Sequence, residues 1–92
     1  MMKIEVLKGS KYIVILEKDE NEKVKRVLPI KVVDFFKKEK KEEIKREIKN
    51  FLKWETYKTI SFFIHNPEII KIFNECLSEL NEEFISGLAL KQ

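Results

Sequence analysis

The tripeptide Asn66-Pro67-Glu68 constrains this chain more than any other stretch, because each of its residues meets a different requirement of a helix start. An Asn side chain accepts from free backbone N–H groups at the cap, Pro lacks the N–H that the first turn leaves unpaired, and Glu suits the positive end of the helix dipole. From there Ile69, Ile70, Phe73, Cys76, Leu77, Leu80 and Phe84 fall within an arc of about 120°, with Glu68, Glu75, Glu79, Glu82 and Glu83 opposite. The spacing predicts an amphipathic helix running to about Ser86, with Gly87 as its C-terminal cap. A stripe that wide needs a second layer to cover it. The rest of the chain has to supply that layer.

The N-terminal third reads as strands. Lys3–Lys8 alternates Ile4 and Val6 with Glu5, Lys11–Glu17 holds the β-forming run Tyr12 to Leu16, and Lys23–Leu28 returns after the polar turn Asp19-Glu20-Asn21-Glu22. Gly9-Ser10 is the expected first turn, with Gly9 taking a positive φ. Pro29 is expected to end the third strand, since it cannot donate to a ladder, and to open a helical turn marked by Ile30, Val33 and Phe36.

Ile44, Ile48, Phe51 and Leu52 then mark a middle helix. Extended backwards, their stripe runs through Lys37, Lys40 and Lys41, so a break or kink is expected near residues 37–41. Trp54 to His65 is rich in β-branched and aromatic residues. There Ile60, Phe62 and Ile64 alternate as in a fourth strand, with a helix as the alternative.

The predicted fold is therefore α+β: an N-terminal three-stranded antiparallel β-meander, a basic middle helix, a fourth strand, and a C-terminal amphipathic helix packed on the sheet. Residues 1–92 make one domain, with no repeat and, at two Gly and two Pro, no linker. A hydrophobic content of 43% provides a core without a disulfide or metal staple. Cys76 is the single cysteine, so no intramolecular bridge forms, which fits a reducing compartment. Residues 1–5 lack the apolar core of a signal peptide, and no apolar run nears the ~20 residues that span a bilayer. The expectation is a cytoplasmic protein with no membrane partner. The abundance of Lys, Glu and Ile fits a thermophilic source and an A+T-rich genome alike.

Catalytic groups are few. His65, the one histidine, sits beside the Asn66 cap and reads as a polar residue closing the strand rather than a general base. Cys76 lies on the apolar arc, as a buried thiol would, and the two match no zinc-ligand spacing. Gly9 and Gly87 are isolated, so no Gly-rich phosphate loop exists. Asp19, Glu20 and Glu22 lack the Gly and terminal Glu of a calcium loop and read as a solvated turn. No catalytic residue, metal site, cofactor or small-molecule substrate is expected.

Charge carries more content. The net charge is +3, but residues 1–58 hold 17 Lys and Arg against 11 Asp and Glu, whereas residues 59–92 hold 2 against 5. On a helical wheel Lys38, Lys45, Arg46, Lys49 and Lys53 share one side, and Lys45, Lys49 and Lys53 are successive like-charge i,i+4 pairs. A self-repelling row of that kind is what a phosphate-binding face looks like. Good helix formers on a solvated face would give the same pattern. The string Lys25–Val33 is also similar, over nine residues, to the strand–Pro–helix corner of the swapped-hairpin AbrB-type DNA-binding domains. It lacks the Gly those domains place before the Arg, and the helices that follow are longer than that fold needs.

Two functions follow as expectations. The first is a small non-enzymatic protein-binding module of accessory, regulatory or inhibitory type, homodimeric through Phe62, Ile69, Phe73, Leu77, Leu80, Phe84, Ile85 and Leu88, with charged faces steering partners. The alternative is a nucleic-acid-binding protein using Lys38, Lys45, Arg46, Lys49 and Lys53. They separate in a titration at two salt concentrations. Nucleic-acid binding should weaken steeply with salt, its slope falling by roughly one for each phosphate-contacting Lys removed. Binding to a protein should survive high salt.

Overall fold

The computed structural model describes the backbone of residues 2–52 and 57–90 and the side chains of residues 3–52 and 60–82. Strands β1 (Met2–Lys8), β2 (Tyr12–Lys18) and β3 (Val24–Lys31) form the antiparallel meander. A short helix α1 (Val32–Phe35), a 3-10 turn (Lys38–Lys40) and helix α2 (Lys41–Leu52) lead to β4 (Tyr57–Phe62) and the long helix α3 (Pro67–Leu90). The sheet order is β3-β2-β1-β4, and β4 runs parallel to β1. Both α2 and α3 pack on one face of this mixed sheet. The architecture is α+β.

Local chemistry explains most boundaries. Asn66 Oδ1 accepts from Glu68 N–H at 3.0 Å and from Ile69 N–H at 3.3 Å, the expected cap of α3. Lys37 has extended dihedrals (φ −81°, ψ 124°), so the chain breaks between α1 and α2 within the lysine-rich stretch. In the second hairpin Asp19 Oδ1 accepts from the N–H groups of Asn21 (2.8 Å) and Lys23 (3.0 Å). Those bonds, the Lys23 one foremost, hold the Asp19 carboxyl below its ordinary range.

Four expectations need correction. The third strand runs through Pro29 to Lys31, pairing Pro29 with Val14. It can do so because β3 is an edge strand. The bond from Val32 N–H to Lys11 O fixes the alternation, so the Pro29 nitrogen points away from β2, where no donor is missed. The buried residues of this corner are Ile30 and Phe35, while Val33 and Phe36 are exposed. Gly9 makes the turn, its N–H bonding Tyr12 O at 2.8 Å, without a positive φ; the left-handed residue is Glu22 (φ 65°) in the other hairpin. Helix α3 continues through Gly87 to Leu90 rather than stopping near Ser86.

The core lies between the sheet and the helices. Ile4, Val6, Ile13 and Ile15 meet Ile44, Ile48, Ile69 and Phe73, all buried. One charged residue shares that layer. Glu17 continues the inward-facing series of β2 and is 1% exposed. Its carboxylate accepts two bonds from Arg26 on β3, Nε to Oε1 at 2.9 Å and Nη2 to Oε2 at 2.7 Å. Arg26 Nη2 also donates to Phe51 O at the end of α2 (2.6 Å), and the guanidinium lies 4.3 Å from the centroid of the Phe51 ring. The pair thus ties two strands to a helix terminus.

Removing one member strands the other as a buried charge. Arg26→Ala is expected to cost about 3–5 kcal/mol, and replacing the pair together (Glu17→Leu with Arg26→Met) to cost less than that single change. Urea unfolding of the two variants checks the order.

Candidate docking surface

Strand alternation divides the sheet side chains into two sets. Ile4, Val6, Ile13, Ile15, Leu28 and Ile30 face the helices. The opposite set is also apolar. Register places Leu7 beside Val14 and Val14 beside Pro29. Phe63, one residue past β4, donates its N–H to Val6 O at 2.9 Å and so extends that strand beside Leu7. Phe63, Leu7, Val14 and Pro29 therefore form an apolar row across all four strands. Leu16 and Val27 flank it on one side, Tyr12 and Lys31 on the other.

Among the described residues no helix covers this row. Phe63 is 61% exposed, Val27 51% and Tyr12 44%. Leu7, Val14 and Leu16 are half-buried, and none of them is among the described residues packed against the core. A strand that is apolar on both faces, as β2 is from Tyr12 to Leu16, belongs to a sheet covered twice. Here one cover is present.

The charges at the Lys3 end of this face are matched to one another. Lys18 Nζ lies 2.9 Å from Glu5 Oε1 and 3.8 Å from Glu22 Oε2, and Lys3 Nζ bonds Glu22 Oε1 at 2.7 Å. The hydrogen bond from Lys3 pulls the Glu22 carboxyl down, and the Glu5 carboxylate holds the Lys18 ammonium up. The apolar row is thus bordered by an ion-paired cluster with no net charge.

The basic set on and around α2 is divided by the fold. Lys45 is buried; its ammonium hydrogen-bonds Glu79 and lies 3.5 Å from Glu75, both on α3. Lys49 reaches Glu79 at 3.3 Å and Lys41 reaches Glu75 at 3.6 Å. The i,i+4 repulsion of Lys45 and Lys49 is therefore offset from within, by acids that had looked like a separate solvated face. Lys38 and Arg46 are exposed, and Lys53 lies outside the described residues.

The expected α3 interface is likewise placed. Ile69 and Phe73 have no exposed surface, and Phe62 meets Phe73 edge-on with ring centroids 5.5 Å apart. Leu77 and Leu80 are half-buried against the core. The side chains of Phe84, Ile85 and Leu88 lie outside the described set. The face that is open belongs to the sheet. Its signal was the unbroken apolar run Ile13-Val14-Ile15-Leu16, which supplies one face too many for a single helical layer.

Reactive groups do not converge. Cys76 is buried with its Sγ 3.8 Å from Lys45 O, and burial pushes its thiol up to about 11. His65 is exposed at a broad open depression along α3 that also includes Glu75 and Glu79, the acids engaged by α2 lysines. Among the described residues no cluster of three His, Cys, Asp or Glu side chains is placed to hold a metal, and no helix is long and apolar enough to cross a membrane. No known protein family, curated protein or solved structure matches this chain.

The contact between α2 and α3 carries a pH signature. Hydrogen bonds from Lys45 and then Lys49 hold the Glu79 carboxyl below its ordinary 4.5, and Glu79 holds the Lys45 ammonium above 10.5 against the effect of burial. The Glu79 contribution is complete above pH 4.5 and is lost as pH falls through the lowered value; the Lys45 contribution is complete below pH 10.5 and is lost as pH rises through the raised one. Glu79→Gln is expected to lower Tm at neutral pH and to flatten the fall of Tm in acid below pH 4.5. Thermal unfolding of both proteins across the acid range reads this directly.

Proposed function

We propose that this protein is a small non-enzymatic protein-binding module whose docking site is the open face of its sheet. One observation carries the reading: the apolar row of Phe63, Leu7, Val14 and Pro29, with Leu16 and Val27 beside it, has no cover among the described residues. Fully burying a side chain of this size from full exposure is worth about 1.5–3 kcal/mol, so the apolar surface still open at Phe63, Val27 and Tyr12 favours association. Exposed apolar patches on this scale mark interaction sites. The absence of free charge at the centre of the face favours a protein surface over a polyanion.

The non-enzymatic part of the reading draws support from the same geometry. The thiol is buried and held protonated, and the carboxylates nearest the imidazole's depression are spoken for by lysines. On the nucleic-acid alternative, Lys45 is buried in the fold and Lys49 is paired, so that of the five residues expected to contact phosphate Lys38 and Arg46 are the exposed ones among the described residues.

The test is co-purification from the native host using tagged wild-type chain, Val27→Lys and Arg46→Glu. A protein partner should remain bound at ~0.5 M salt, where surface electrostatics are screened. It should be lost from Val27→Lys and kept by Arg46→Glu. Equal recovery with Val27→Lys would remove the sheet face as the docking site, and recovery of nucleic acid that Arg46→Glu abolishes would favour the alternative.

A further inference from the structure

We infer that the occupant of the open face is a second copy of this chain, stacked sheet on sheet about a two-fold axis that lies along the Phe63–Leu7–Val14–Pro29 row. This rests on the docking reading above and names its partner.

A residue on a two-fold axis meets its own counterpart, so an isologous interface needs an axis lined by groups that tolerate themselves. Charged side chains fail that condition. Each of the four residues of the row is apolar, and the row crosses the full width of the sheet. Rotation about it lays β2 over β2 and β3 over β3 with directions reversed, the facing arrangement of a β-sandwich at a spacing of about 10 Å. The flanking residues then exchange. Tyr12 comes over the copy's Leu16, and the aliphatic stem of Lys31 comes over the copy's Val27 with its ammonium at the rim.

Charge agrees with this choice of partner. The face holds Lys3, Glu5 and Lys18, neutralised among themselves and by Glu22, and one further cation, Lys31, at its margin. The two Lys31 residues would sit on opposite sides of the axis, roughly 13 Å apart along the strands, beyond the screening length at physiological salt. Glu5 of one copy would face the hairpin turn of the other, which carries Lys11. Lys18 comes over the same turn with its ammonium already held by Glu5.

The edge of β3 is a poorer site for a second copy. Lys25 and Lys31 guard it, and Pro29 presents a nitrogen without hydrogen outward. The face is the apolar option. Four strands of about seven residues give it a projected area on the order of 400 Å² per copy before side-chain relief, the size of a weak, transient contact. The dimer is therefore reversible, with a dissociation constant on the order of micromolar.

Sedimentation equilibrium of the full chain, from roughly 1 to 500 µM, tests this around that expected constant. Wild-type mass should rise from one chain towards two. Phe63→Lys and Phe63→Glu, which alter an exposed on-axis residue, should each remain monomeric while keeping the wild-type circular dichroism spectrum. Mixed in equal amounts they should associate again, because the axis sets position 63 against itself. A wild-type chain that stays monomeric throughout, a dimer untouched by either charge, or a mixture that does not reassociate overturns the second-copy assignment. If the chain is monomeric yet Val27→Lys still loses a co-purifying protein, the docking face stands and only its occupant is wrong. If neither effect appears, both fall.

Discussion

A carboxylate and a guanidinium, Glu17 and Arg26, set the terms for the rest of the structure. Glu17 occupies a position that strand alternation assigns to the core, and Arg26 is the group that makes its burial tolerable. The bidentate bonds fix β3 against β2 in one register, since a slip by one residue would carry Arg26 to the other face. The same guanidinium donates to the terminal carbonyl of α2 at Phe51 and lies near that residue's ring. That carbonyl is one of the acceptors every helix end leaves open. A single side chain thus specifies strand pairing, the end of α2 and the height of that helix above the sheet. Buried pairs of this type contribute little net stability against an apolar pair of equal volume, so its value here is in excluding alternative arrangements.

A second lock of the same kind joins the helices. The basic character of α2 and the acidic character of α3 looked like two solvated faces available to two sorts of partner. In the fold they are one contact, with Lys41, Lys45 and Lys49 met by Glu75 and Glu79. The charge asymmetry between the two parts of the chain is to that extent spent internally.

The elements themselves were legible. Asn66-Pro67-Glu68 declared the start of α3, the turn at Asp19 to Glu22 declared a hairpin, and the alternation of Ile60, Phe62 and Ile64 declared β4. Several of the failures share a cause: they concerned properties that depend on what lies beside an element. Pro29 is compatible with a strand at an edge, and nothing local says that β3 is an edge. The wheel of α2 shows Lys45 as a polar residue, whereas its burial follows from the position of α3. The parallel pairing of β4 with β1 is likewise a matter of which edge was free. Of the interface residues expected on α3, Ile69 and Phe73 are taken up by the core, which the arc alone does not reveal.

Whether a face stays open is decided by counting layers. A four-stranded sheet has two faces, and among the described residues the two longer helices, α2 and α3, cover one of them. An antiparallel sheet commonly resolves this by alternating apolar and polar residues, so that the second face is content in water. β1 follows that pattern in part, with Lys3 and Glu5 on the open side. β2 does not: Val14 and Leu16 stand where polar residues would cost nothing in packing, and Val27 on β3 repeats the choice. The apolar residues are next to one another in space although they come from segments far apart in sequence, Leu7 and Phe63 above all. Folding alone gains little from such an arrangement, because these side chains remain in contact with solvent in the isolated chain. Association is the process that gains from it, and that is the physical ground for reading this face as the working surface of the protein.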